Sequence, residues 1–162
     1  MTRQEVLMTF AQGCRKILQG DLSKLIVYGS YARGDYREDS DIDVVGHLDL
    51  MKRYAYDDFG NYNFNEYKDI LSIILKKVIE RNIGIEINTS GFRNSVKESY
   101  PSIEVLRLYK ELGGEIITIG SDSHNTEDVS KGYLLAIDML KNLKFENIFK
   151  FEKRNPIGIK IK

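Results

Sequence analysis

The first twenty residues place Val6, Leu7, Phe10, Cys14, Ile17 and Leu18 three and four positions apart, on one helical face. Thr2 and, three residues on, Glu5 form a capping box that starts this helix, and Gly20 ends it. The pattern then shortens into apolar runs. "KLIVYGS" predicts a strand running into Gly29 and Ser30, and after a polar loop to Ser40, "DIDVVGH" predicts a second. In "NFNEYKDILSIILKKVIE", Ile70, Leu71, Ile74, Leu75, Val78 and Ile79 share a helical face, and "IGIEINTS" follows as a strand. Ser102, after Pro101, caps a helix that ends at Gly113 and Gly114. "EIITIGSD", "VSKGYLLAIDMLKNL" and "ENIFKFE" then predict a strand, a helix and a last strand.

From Val44 onward, strands and helices alternate. That order predicts an α/β fold with right-handed crossovers: a partial (β/α) barrel-like parallel sheet of about four β/α units, with functional groups at the strand C-termini. Two edges of such a sheet are open. They are expected to be covered by the N-terminal helix and strand, or else paired in a homodimer that completes a half-barrel.

Composition narrows the partners. The 24 basic and 24 acidic residues cancel, so nothing points to bulk electrostatic capture of nucleic acid or an anionic membrane, and any phosphate binding is local. Cys14 is the single cysteine; it excludes an internal disulfide and reads as a small core residue of the first helix. With no signal-peptide pattern and no long uncharged apolar run, a cytoplasmic protein is expected. A chain of 162 residues holds one full domain or two incomplete units, 1–43 and 44–162, and without a low-complexity linker such units pack directly.

Two constellations carry chemistry. Asp41 and Asp43, two apart on a strand, project from one face and can hold divalent metal together, a two-metal phosphoryl-transfer arrangement. Gly29 and Ser30, ten residues earlier, can offer backbone N–H groups and a hydroxyl to phosphate oxygens. The second constellation lies at strand ends. His47 closes "VVGH", while Asp122 and His124, again two apart, close "IGSDSH"; both histidines of the chain fall there, and imidazole and carboxylate at neighbouring strand ends can converge on one metal. Arg53 and Arg93 follow strand ends and can grip a phosphate monoester through two N–H groups each.

Residues 1 to about 45 resemble the start of the minimal nucleotidyltransferase domains of the DNA polymerase beta superfamily. The resemblance implies a helix-strand-turn element of nucleotidyltransferase type in which Gly29 and Ser30 hold a nucleotide triphosphate and Asp41 and Asp43 hold magnesium. It also implies a third acid on a later strand. Glu86 in "IGIEINTS" is the nearest candidate, where family members mostly carry Asp.

Residues from about 44 to 162, through "VVGHLDLMKRY", "GIEINTSGFR", "PSIEVLRLYKELGGEIITIGSDSH" and "FEKRNPIGIKI", are similar to the C-terminal part of histidinol-phosphatases of the PHP superfamily, distorted barrels of histidine biosynthesis. That resemblance implies His47, Asp122 and His124 as ligands of a trinuclear zinc, manganese or iron site, and Arg53 and Arg93 as holders of the substrate phosphate. The family's N-terminal H-x-H motif has no counterpart in residues 1–43, so an incomplete or vestigial phosphatase site is expected.

Three functions follow: a PHP-type metal-dependent phosphoesterase, a magnesium-dependent nucleotidyltransferase, or an inactive chimeric or engineered scaffold with a seam between Asp43 and Val44. The partner is a phosphorylated small molecule or a nucleotide.

Overall fold

A computed structural model describes residues 44–60 and 62–162. The N-terminal helix, the "KLIVYGS" strand, Gly29, Ser30, Asp41 and Asp43 lie outside the described residues.

Strand β1 (Val44–Val45) leads through a turn into helix α1 (Met51–Phe59), and after Gly60 helix α2 runs over Phe64–Glu80. Asn63 caps α2, its side chain accepting from the Asn65 N–H at 3.1 Å. Strand β2 (Gly84–Asn88) passes into a 3-10 turn (Thr89–Arg93), and helix α3 spans Ile103–Glu111. Strand β3 (Ile117–Gly120), a second 3-10 turn (Thr126–Asp128), helix α4 (Tyr133–Asn142) and the paired strands β4 (Asn147–Glu152) and β5 (Asn155–Lys160) complete the order.

The parallel sheet has the order β1-β2-β3, with Val44 opposite Gly84 and Ile85 opposite Ile117. Its central strand is almost wholly buried, and Ile85 and Ile87 have no exposed surface, as expected of a parallel strand covered on both faces. The face foreseen for α2 is the packed one: Leu71, Leu75 and Val78 are buried, together with Val105, Leu106, Leu108 and Tyr109 of α3, which packs against α2.

Three features depart from the sequence reading. Among the described residues the parallel ladder counts three strands rather than the four of a barrel-like arc, because β4 pairs antiparallel with β5, from Asn147 opposite Lys160 to Glu152 opposite Asn155. Lys153 and Arg154 both adopt left-handed backbone (φ 47° and 71°), the geometry of a two-residue hairpin turn whose twist matches its strands. The strand bearing His47 stops two residues early: Val45 ends β1 and His47 has φ 53°, so the imidazole stands on a turn closed by the Leu50 N–H to His47 carbonyl bond of 3.0 Å. Helix α1, whose sequence buries only Lys52, carries no apolar period that would announce it.

Candidate functional site

Every residue of the site follows the C-terminal end of a parallel strand or belongs to such an end. His47 follows β1, Glu86 and Asn88 share one face of β2, and Asp122 and His124 follow β3. Glycines frame the centre. A Cβ at Gly46 would stand 3.0 Å from Glu86 Oε2, and one at Gly120 would run into Glu86 Oε1, so the two flanking strands end without side chains where the Glu86 carboxylate lies. Glu86 Oε2 is in turn 3.9 Å from His47 Nδ1.

The other ring nitrogen of His47 meets two groups. Asn88 Nδ2 lies 3.0 Å from Nε2 and Asp122 Oδ2 lies 3.3 Å from it. Asn88 is buried, and its carboxamide oxygen accepts the Ser90 N–H at 2.9 Å, which leaves only the NH2 end to face the ring. An NH2 group can only donate, so Nε2 is the acceptor in that contact and the neutral ring carries its hydrogen on Nδ1, toward Glu86.

The Asp122 oxygen then faces a nitrogen lone pair, and a proton or a cation between them relieves the contact. Burial pushes the Asp122 carboxyl up, but His47, His124 and Asn88 together outweigh it and hold the group below the usual carboxylate range. A divalent cation takes the same place only by displacing the Asn88 N–H from the one lone pair of Nε2. Two ligands each about 2.0–2.2 Å from one ion at a near-tetrahedral angle stand about 3.3 Å apart.

His124 is tied to this pair through the backbone. Its Nδ1 is 3.1 Å from the Asp122 carbonyl; the carbonyl only accepts, so Nδ1 donates and Nε2 of the neutral ring keeps its lone pair. Among the described residues no three His, Cys, Asp or Glu side chains gather as a metal-holding cluster. The donor set at hand is thus the His47–Asp122 pair, with the exposed His124 beside it.

Arg53, Ser90, Arg93, Asn94, Asp122 and His124 line a cleft of about 270 Å³. A second hollow, lined by Lys110, Glu115, Phe145 and Phe149, lies away from these groups and brings no comparable chemistry together. Arg53 reaches the cleft from α1 and touches the Tyr54 ring, 5.9 Å from its centroid. Arg93 is more committed. Its Nη2 donates to the carbonyls of Ser121 (2.7 Å) and Asp122 (3.3 Å), and its Nε is 3.7 Å from Asp128 Oδ2. Lys131, hydrogen-bonded to Asp128 at 2.7 Å, lowers the Asp128 carboxyl from its ordinary value. Arg93 therefore clamps the loop that bears Asp122 while its Nη1 stays buried without a partner among the described residues.

Asn88 and Ser90, in "EINTSG", were missed from sequence because neither residue type nor spacing singles them out. Equally unannounced is a buried Lys52–Asp49 pair at the His47 turn, joined by the more exposed Glu98. Lys52 Nζ sits 3.3 Å from Asp49 Oδ2 and 3.1 Å from Glu98 Oε2, and 5.3 Å from the Tyr100 ring centroid. Asp49 also accepts from the Ser102 N–H at 2.9 Å and the Tyr62 hydroxyl at 3.2 Å, so the cap of α3 is supplied from the His47 turn. Burial pushes the Asp49 carboxyl up to about 6 despite Lys52 beside it.

No described helix is long and apolar enough to cross a membrane. Residues 7–110 match the family model described as a nucleotidyltransferase domain. Over 98 residues the chain is 41% identical to a protein of Methanocaldococcus jannaschii named for protein adenylyltransferase activity, covering 60% of this chain and 95% of that one. Over 114 residues it is 39% identical to a protein of Clostridium acetobutylicum named for histidinol-phosphatase activity, covering 70% of this chain and 44% of that one. A solved structure from Listeria monocytogenes, titled as a histidinol phosphatase, superimposes with a TM-score of 0.50 at 26% identity, over 57% of this chain and 35% of its own. The chain spans less than half the length of the histidinol-phosphatase relatives named here. With shares of 60% and 70%, the two likenesses overlap in the middle of the chain, and the family match extends past Asp43 to include Glu86.

Proposed function

From the premise that the chain belongs to the nucleotidyltransferase domain family, yet gathers a second set of phosphate-handling groups at its parallel strand ends, we propose that the described cleft is a metal-dependent phosphoric monoester site of the histidinol-phosphatase kind. One observation carries this reading: His47 Nε2 lies 3.3 Å from Asp122 Oδ2, and Asp122 lines the cleft together with Arg53, Arg93 and His124. His47 and Asp122, with His124 alongside, would hold zinc, manganese or iron, which would supply Lewis-acid catalysis of ester hydrolysis. The chain's own residues do the rest. Arg53, with no carboxylate partner among the described residues, pairs with the ester's charge; Arg93 holds the Asp122 loop in place; Glu86 faces Nδ1–H of His47 and orients the ring. With only a pair of donors converged, metal affinity and turnover are expected to be low, an incomplete or vestigial relative of a full site.

Metal analysis of the purified protein and of His47→Ala, Asp122→Ala and His124→Ala, alongside manganese-dependent hydrolysis of p-nitrophenyl phosphate, tests this. The reading expects each substitution to reduce bound zinc or manganese. Unchanged metal content in all three rules it out.

The family match favours a second reading in which Gly29 and Ser30 hold a nucleotide and Asp41 and Asp43 hold magnesium for nucleotidyl transfer. Magnesium-dependent nucleotide binding that disappears in Asp41→Asn and Asp43→Asn supports it, and no such binding in the parent chain excludes it. A chain that is inert in both assays yet folds cooperatively is the scaffold alternative.

A further inference from the structure

Ser90 is 5% exposed, and its hydroxyl oxygen is buried without a hydrogen-bond partner among the described residues. Neighbouring buried hydroxyls are satisfied. Thr89 Oγ1 donates to the Lys131 carbonyl and Ser99 Oγ to the Pro101 carbonyl, each at 2.6 Å. The Ser90 backbone is pinned by its N–H bond to Asn88 Oδ1, so the residue does not turn away with the chain. A hydroxyl that has lost water and gained nothing is a standing cost to the fold.

Ser90 is one of the residues lining the cleft, with Arg53, Arg93, Asp122 and Asp128. Arg93, another of them, has a buried Nη1 that is the second donor without a partner among the described residues. Two unspent donors beside the Arg53 guanidinium call for a ligand with several acceptor oxygens pointing in different directions. A tetrahedral phosphate offers three terminal oxygens; a planar carboxylate offers two.

We propose that Ser90 is a specificity-determining residue of the cleft, its hydroxyl donating to a terminal phosphate oxygen of the bound ester while Arg93 Nη1 and Arg53 take the others. The inference rests on the phosphate-ester reading above and adds to it a neutral donor that neither residue type nor spacing announces. It also explains why the site tolerates a buried orphan hydroxyl: the partner arrives with the ligand.

The test is titration of inorganic phosphate into the full chain with saturating manganese, by calorimetry, for the parent and for Ser90→Ala, together with the Tm of each without phosphate. Loss of a hydrogen bond to a charged oxygen weakens binding by at least about tenfold, and removal of an unsatisfied hydroxyl leaves the ligand-free Tm unchanged or raised. Equal phosphate affinity in parent and variant overturns the role of Ser90 and leaves the phosphate-ester reading standing. A variant that is less stable than the parent without phosphate overturns it too, since Ser90 is then structural. A parent that binds no phosphate overturns the underlying reading, and this inference with it.

Discussion

Asn88 donates its side-chain N–H to His47 Nε2 across 3.0 Å because Ser90 holds the other end of the same carboxamide. One backbone amide after β2 thus sets the hydrogen position on a ring that follows the neighbouring strand β1. In the parent protein, nitrogen chemical shifts of His47 are expected to report the Nδ1–H tautomer. Asn88→Asp replaces the donor with acceptors, so the hydrogen moves to Nε2 or the ring becomes doubly protonated; an unchanged tautomer would show that Asn88 does not direct it.

The buried Asp49 carboxyl, pushed up to about 6 from an ordinary 3.8, predicts a pH dependence of definite sign. Because the folded-state value lies above the unfolded one, this group's stabilising contribution is complete below about pH 4 and is lost as the pH rises through about 6. The span is roughly 2–3 kcal/mol for a shift of about two units. Urea denaturation from pH 4 to pH 7 is expected to show that loss superimposed on other titrations, and Asp49→Asn flattens this part of the profile.

Arg53 and Arg93 line one cleft with different commitments. Arg53→Ala is expected to weaken phosphate binding and leave Tm within about a degree or two, as for an exposed side chain with no ion pair among the described residues. Arg93→Ala removes the bonds to the Ser121 and Asp122 carbonyls and so lowers both phosphate affinity and stability, the latter by about 1–3 kcal/mol. Paired calorimetry and thermal melts separate the two.

Gly120→Ala places a methyl group against the Glu86 carboxylate. Overpacking at this partly exposed strand end is expected to cost about 1–3 kcal/mol, and Gly120→Ala combined with Glu86→Asp recovers part of it. If the double variant melts no higher than the single one, the crowding lies elsewhere.

Strands β1 and β3 each have β2 as their single neighbour among the described residues, and open parallel edges invite pairing. A dimeric mass at micromolar concentration is the expected outcome in solution scattering or analytical ultracentrifugation.

The sequence made the α2 face and the strands β2 and β3 legible, because apolar period is a one-dimensional signal. It did not reveal the hairpin. Lys153-Arg154 lacks the Asn-Gly or Asp-Gly signature of such a turn, so β4 read as one more parallel strand. Nor did it reveal the roles of Asn88, Ser90 or the Lys52–Asp49–Glu98 cluster, which depend on which polar groups meet after folding. Glu86 was noticed for its strand position, while its proximity to His47 depends on glycines at positions 46 and 120 that only register brings beside it.

His47, Asp49 and Asp122 all sit in left-handed backbone, at φ 53°, 62° and 47°, a region that costs an L-residue about 1–2 kcal/mol. Glycine at 47 or 122 would relax the chain and delete the imidazole–carboxylate contact in one step, whereas glycine at 49 would also take the carboxylate away from buried Lys52 and from the Ser102 N–H. At positions 47 and 122, backbone strain and the imidazole–carboxylate contact therefore pull in opposite directions: a library selected only for heat resistance should enrich glycine at 47 and 122, and the enriched clones should be those that have lost the His47–Asp122 contact.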